Sequence, residues 1–319
     1  LERLPSAEGV PTRMCIVFLA LDQHPDFPVV VAHNRDEFLD RSAERMEPRV
    51  WSLEGSEATS DVLLAGRDAR AGGTWLGLRR LPGEGGACRF ATVLNNTSYK
   101  EPGSPSAPSR GTLPLRFLLG PAGQSPGDFV TALTGESATE VMAGFSMLCA
   151  TFGGSSGSAP EAAFVRNRAG PAEATVQPTL GPGVHALCND ATLESSWARV
   201  QRGRHLLSEA LRAPGLRLSN ELFERLLLDR TSSGPTASGT EALPGDHPLF
   251  IVSEKEGSLA HGTRASTVVL CSRDGGVFVA ERCSDPVRGP EVAYVSPGRA
   301  APSSWIRQLE SGALPRSRL

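Results

Sequence analysis

The residues able to do chemistry are concentrated near one end of the chain. Cys15 follows Met14 directly and opens the apolar run Ile16-Val17-Phe18-Leu19-Ala20; after a turn, Val29-Val30-Val31-Ala32 leads through His33 into the quartet Asn34-Arg35-Asp36-Glu37. A thiol attacks as its thiolate and needs a group to take its proton. An α-amino group, with an unperturbed pKa of about 7.7–8.0, is matched to that task near neutral pH. If the chain is processed after Met14, Cys15 supplies nucleophile and base from one residue. With the chain left intact before it, the same cysteine reads as a small apolar residue at the start of a core strand.

The residues before Met14, Leu1 to Arg13, are rich in Pro, Glu and Gly and contain no apolar run, so they do not read as a secretory signal. They are also too short and too acidic for a transit peptide. The reading is an extension over 1–13, a propeptide, an upstream misread or a fragment end, that blocks the amine while it stays attached.

Around these residues the pattern predicts strands near both ends and helices in the middle. Cys15 to Leu21 and Val29 to His33 read as a hairpin, and Gly72 to Leu78 with Phe90 to Leu94 as a second strand pair. Phe145 to Thr151, Ala163 to Val165 and Val184 to Leu187 continue the sheet. Leu249 to Val252, Ser266 to Cys271 and Val277 to Glu281 close it, the last two joined at Asp274-Gly275. Helices are predicted over Leu113 to Leu119, over Asp128 to Leu133 with Asp128 as cap, over Ser196 to Leu211 and over Asn220 to Asp229. Trp197, Val200, Leu207 and Leu211 share one face of the third.

Glu101 to Ser109, Gly153 to Pro160 and Thr231 to Gly239 are Ser-, Gly- and Pro-rich and read as loops or insertions. None of them separates two cores, so residues 14–285 form one domain. Residues 286–319 are left as a tail with a short helix. Two packed, mostly antiparallel sheets flanked by helices account for this order.

Composition excludes several function classes. The 319 residues carry a formal charge of −3, with 39% hydrophobic and 21% charged residues. Nothing here makes the basic stripe of a nucleic-acid binder, and no apolar run approaches the roughly 20 residues that span a bilayer. Cys15, Cys88, Cys149, Cys188, Cys271 and Cys283 are widely spaced with no Cys-x-x-Cys pair, which reads as reduced thiols in the cytoplasm. The histidines show no paired metal spacing, so no metal site is expected. Gly72, Gly73 and Gly77 lack the spacing of a phosphate loop.

Six segments occur in an order that resembles a known family: Met14-Cys15-Ile16, the Asn34–Glu37 quartet, Ala71-Gly72-Gly73-Thr74-Trp75-Leu76-Gly77, Phe90 to Asn95, His185 to Asn189 with Trp197 after it, and Gly262-Thr263-Arg264-Ala265-Ser266-Thr267. This order is similar to the NRDE family, which is named for the quartet and includes eukaryotic Transport and Golgi organisation proteins. The resemblance covers about residues 14–285. That family in turn looks like the cysteine N-terminal-nucleophile hydrolases, the branch of penicillin V acylase and choloylglycine hydrolase.

The resemblance implies an α+β fold, a four-layer αββα sandwich with mostly antiparallel sheets and a cleft between them. It also implies a catalytic set of Cys15, Asp36, Asn95, Asn189 and Arg264. Cys15 would be the nucleophile, Asp36 would position the amine, Asn95 and Asn189 would hold the oxyanion and Arg264 would complete the site. Asn34, Arg35, Glu37 and Trp75 are expected to contact substrate. The hydrolases carry an arginine three residues before the aspartate; here His33 stands at that position and Arg35 adjoins Asp36.

The implied activity is hydrolysis of a linear amide on an acyl or lipid-like small molecule, with no cofactor required. The alternative is a carrier without turnover, acting in Golgi organisation, secretion and lipid homeostasis, with an acyl-lipid or haem as cargo. The family adds Golgi or mitochondrial association to the cytoplasmic expectation.

Overall fold

A computed structural model describes residues 15–53, 62–82, 86–96, 107–136, 142–154, 159–167, 174–189, 193–215, 217–231, 248–252, 254–256, 259–283, 291–296 and 306–308. Strands β1 (Ile16–Leu21), β2 (Val29–Phe38), β10 (Gly183–Cys188), β11 (Glu254–Glu256), β12 (Leu259–Cys271), β13 (Val277–Cys283), β14 (Glu291–Ser296) and β15 (Ile306–Gln308) form an eight-stranded sheet. Its order is β10-β1-β2-β12-β13-β14-β15, with β11 paired to β12. The second sheet has seven strands in sequential order: β3 (Ala43–Val50), β4 (Val62–Asp68), β5 (Leu76–Arg80), β6 (Cys88–Asn95), β7 (Phe145–Phe152), β8 (Glu161–Arg166) and β9 (Thr175–Gln177). The pairings described are antiparallel throughout.

Alternation of side chains along the strands sorts the apolar residues into three cores. Val17, Leu19, Val29 and Val31 meet Leu76, Leu78, Phe90 and Leu148 between the sheets. Ile16, Phe18, Val30 and Ala32 face the opposite way, onto helix α3 (Ala198–Ala210), helix α4 (Arg217–Glu221) and the π-helical turn Leu222–Leu227 that continues it. Helices α1 (Thr112–Leu118) and α2 (Pro126–Thr134) cover the outer face of the second sheet through Leu113, Phe117, Phe129 and Val130. Four αββα layers result. Helix α3 lies close on the first sheet because Gly203 has no side chain; a Cβ there would stand 2.1 Å from the Phe18 ring.

The structure revises several expected elements. Leu249–Val252 is not a regular strand; the backbone there is tied to β12 through Thr263, whose N–H donates to Ile251 O at 2.8 Å and whose hydroxyl accepts from Ile251 N–H at 2.9 Å. The Val184–Leu187 strand does not extend the sheet of β7 and β8 but pairs with β1 as β10. Ser125, not Asp128, caps α2: its hydroxyl accepts from Asp128 N–H at 3.0 Å and donates to the Asp128 carboxylate at 2.7 Å.

Strands β3 and β4 were not anticipated, since Ala-Glu-Arg-Met-Glu-Pro-Arg-Val has little apolar alternation. Within 286–319 the described segments are β14 and β15, strands of the first sheet, where a tail with a short helix was expected. The extension over 1–13 lies outside the described residues, as do the centres of the three loop segments. All six cysteines are free.

His33 sits on the inter-sheet face of β2, 1% exposed, with neither ring nitrogen hydrogen-bonded. Burial, reinforced by the Arg35 charge, pushes its pKa from the ordinary 6.5 down to about 3. The native state therefore refuses a proton that the unfolded chain accepts. Stability is fully present above about pH 6.5, falls as pH drops through that value and levels off below about pH 3. Urea unfolding at pH 7.5 and pH 5 should show His33→Leu gaining about 2 kcal/mol on the parent protein as pH falls, and an unchanged difference would refute neutral burial of this imidazole.

Candidate active site

Strand β2 carries the whole Asn34–Glu37 quartet, and its alternation divides the quartet between two faces. Asn34 and Asp36 point to the helix layer. The Asn34 amide donates to Leu227 O at 2.8 Å and Leu249 O at 2.7 Å, and its oxygen accepts from the Ser266 hydroxyl at 2.7 Å. It is fully buried and holds the π-helical turn to the sheet, so it does not face the cleft where a substrate contact was expected. The Asp36 carboxylate accepts from the Thr263 hydroxyl at 2.6 Å and lies 3.6 Å from the Arg199 guanidinium on α3, with both side chains at 0% exposure.

Arg35 and Glu37 face the space between the sheets. The Arg35 guanidinium stacks 4.2 Å over the Trp75 ring and lies 3.5 Å from the Asp68 carboxylate. Gly66 makes room for that indole, since a Cβ there would come within 2.4 Å of it. Burial, though partly offset by Cys15, Glu37 and Asp68, lowers the Arg35 pKa.

Cys15 stands at the mouth of β1, on the same inter-sheet side. Its Sγ donates to Asp36 O and accepts from Asp36 N–H, both at 3.4 Å, so the β2 main chain fixes the thiol. Burial first, and then the Asp36 charge, push the thiol up to about 12; the Asp36 N–H and Arg35 pull the other way. The thiol is thus protonated at neutral pH unless a base is brought to it.

Cys15 lines a cavity of about 140 Å³ together with Arg35, Glu37, Arg41, Asp68, Trp75, Asn95 and Arg110. Asn95 arrives at the end of β6, and Arg110 just before α1. Arg41 bonds Asp68 at 2.7 Å and lies 3.7 Å from Glu37. Although burial opposes it, the Arg41 hydrogen bond and the Ala71 N–H hold the Asp68 carboxyl below its ordinary value.

Two expected site residues take other places. Arg264 sits at the register shift of β12 and donates to Phe38 O at 2.9 Å and Leu39 O at 2.6 Å, clamping the turn after β2. It lines a smaller recess that shares Arg35 and Trp75 with the Cys15 cavity, and does not line that cavity itself. Asn189 is buried next to Cys188, the residue paired with Ile16, and so adjoins Cys15 along the β1–β10 pair without lining the cavity. Cys15, Arg35, Glu37, Trp75 and Asn95 are brought together.

Sequence reasoning missed Arg41, Asp68, Arg110 and Arg199. Only Arg199 left a signal, a charge in the helical stripe of Gly203 and Leu207. Among the described residues no cluster of three or more His, Cys, Asp or Glu is arranged to hold a metal ion. Nor is any described helix long and apolar enough to cross a membrane.

These features define an αββα sandwich with a single thiol in a charged cleft between its sheets. Residues 14–286 match the Transport and Golgi organisation 2 (TANGO2) family, and the chain belongs to it. It is 29% identical over 294 residues to the Transport and Golgi organization protein 2 homolog of Bos taurus, covering 86% of this chain and 96% of that protein. The Mus musculus homolog is 28% identical over 282 residues, covering 84% and 92%. An uncharacterised Saccharomyces cerevisiae protein is 32% identical over 106 residues, a third of this chain.

The buried Asp36–Arg199 pair makes a direct prediction. Arg199→Met leaves a carboxylate without its cation in the layer that positions Cys15, and should cost about 3–5 kcal/mol in urea unfolding. Adding Asp36→Asn should restore most of that loss; if the double variant is no more stable than the single, the pair is not what holds this layer.

Proposed function

We propose that the protein is a cysteine amidohydrolase acting on a linear amide of an acyl or lipid-like small molecule. The observation that carries this reading is the Cys15 thiol, clamped by the Asp36 main chain and lining a polar cavity together with Asn95. In the chain as it stands Met14 precedes Cys15, and a thiol raised to about 12 is inert near neutrality. Removal of the residues before Cys15 would create an α-amine beside it.

That amine takes the Sγ proton as sulfur bonds to the amide carbonyl carbon, and the carbonyl oxygen becomes an oxyanion. The Asn95 amide, which lines the same cavity as Cys15, serves as a donor to that oxyanion. Breaking the C–N bond sends the proton to the departing nitrogen and leaves a thioester, which water then hydrolyses to release the acid and the thiol. Asp36 serves as a positioning residue: its carboxylate is anchored by Thr263 and Arg199, and its main chain holds the sulfur.

The second reading, carriage without turnover, is favoured by the same high thiol pKa in the unprocessed chain and by relatives named for Golgi organisation. Among the described lining residues Cys15 has the atom best suited to haem iron, and about 140 Å³ is far less than a macrocycle needs, so a small acyl ligand fits this reading better than haem. The test compares the chain starting at Cys15 with the chain retaining residues 1–14, each exposed to an alkyne-tagged acyl β-lactone at pH 7.5 and read by intact mass. The processed chain should gain one acyl adduct at least tenfold faster, and Cys15→Ala should gain none. Equal slow labelling of both chains would reject catalysis and leave carriage.

A further inference from the structure

Among the described residues the cleft holds more cations than carboxylates facing them. Arg35, Arg41 and Arg110 line it, against Glu37 and Asp68; Asp36 also contributes to the wall, but its carboxylate is turned to Thr263 and Arg199 on the far face of β2. Arg41 takes both acids, Asp68 at 2.7 Å and Glu37 at 3.7 Å. Arg35 shares Asp68 at 3.5 Å, and its Nη1 has no hydrogen-bond partner although the residue is 4% exposed. Arg110 donates Nη1 to the neutral Gly144 carbonyl at 2.8 Å and has no carboxylate within ion-pair distance among the described residues. Burial and the nearby Arg41 charge lower its pKa, with Glu37 and Cys15 offsetting part of that shift.

Desolvating a charge without a partner is costly, so guanidiniums facing one cavity in this state are poised for an anion brought from outside. Guanidinium forks suit planar or tetrahedral oxyanions through paired N–H donors. A volume of about 140 Å³ takes a group of a few heavy atoms, about the size of a benzene ring, so it suits a head group with the rest of the molecule outside.

We infer that this cleft selects a ligand bearing an oxyanionic head group, a carboxylate or a phosphate, held by the Arg110 guanidinium on the wall it shares with Arg35, with its acyl carbonyl toward Cys15. The inference deepens the reading of this cleft as the ligand site and does not depend on turnover. Arg110 is here a substrate-binding residue that neither motif nor spacing revealed.

The test uses the full chain and three probes: N-hexanoylglycine, N-hexanoylethanolamine phosphate and the uncharged N-hexanoylethanolamine, measured by titration calorimetry at low salt. At least one anionic probe should bind tenfold or more tightly than the uncharged one, and which of the two does so separates carboxylate from phosphate. The preference should shrink with added salt, disappear in Arg110→Gln and survive in Arg110→Lys, with thermal unfolding showing that both variants fold. Equal binding of all three probes, no binding of either anion, or a preference untouched in Arg110→Gln would overturn the inference. Anion-selective binding without hydrolysis by the chain starting at Cys15 would reject the amidohydrolase reading alone; hydrolysis without charge preference would reject this one alone.

Discussion

Strand β2 is buried on both faces, and the rest of the molecule is arranged around satisfying it. Its odd-numbered residues enter the space between the sheets and its even-numbered residues enter the helix layer. In the apolar half, Val29 to Ala32, hydrophobic packing is enough. In the polar half every side chain carries hydrogen-bonding groups, and burying those without partners costs several kcal/mol each. Asn34 meets that demand with two main-chain carbonyls and Ser266, and Asp36 with Thr263 and a buried arginine. These bonds tie the π-helical turn, α3 and β12 to one strand, so the helix layer is positioned by the same residues that frame the site.

The division of the quartet has a functional consequence. Two of its members build the scaffold and two face the cleft, so the four residues are not four substrate contacts. The thiol is held by main-chain atoms of Asp36, whose carboxylate is anchored on the opposite side of the sheet. Precision at the sulfur therefore comes from rigidity in the layer behind it. Burial of the thiol, together with the Asp36 charge behind it, also suppresses the thiolate, so the intrinsic acidity of Cys15 does not supply a nucleophile near neutral pH.

Much of the fold was legible because strands buried on both faces read as short continuous apolar runs and amphipathic helices repeat at 3.6 residues. The β1–β2 hairpin, β5–β6, β12–β13 and the helix over Ala198–Ala210 carry those patterns. The edge strand β3 escaped because it is polar and exposed at several positions, and Leu249–Val252 misled because an apolar run need not pair as a strand when its backbone bonds to a side chain. Of the site, Cys15, Arg35, Glu37, Trp75 and Asn95 were recognisable from motif order. Arg41, Asp68 and Arg110 lie in loops or at strand ends, where no periodicity marks them.

By itself the sequence determined the family and the layered class of fold and singled out the cysteine that lines the cleft, since each is written in local pattern and order of motifs. Only the tertiary structure decided which side of β2 each quartet member serves, that Arg264 clamps a turn while Arg110 enters the cleft, and that among the described residues guanidiniums outnumber the carboxylates facing them. Those outcomes depend on which strands become neighbours and how closely two sheets approach. Both are settled by contacts between residues far apart in the chain, and no local pattern encodes them.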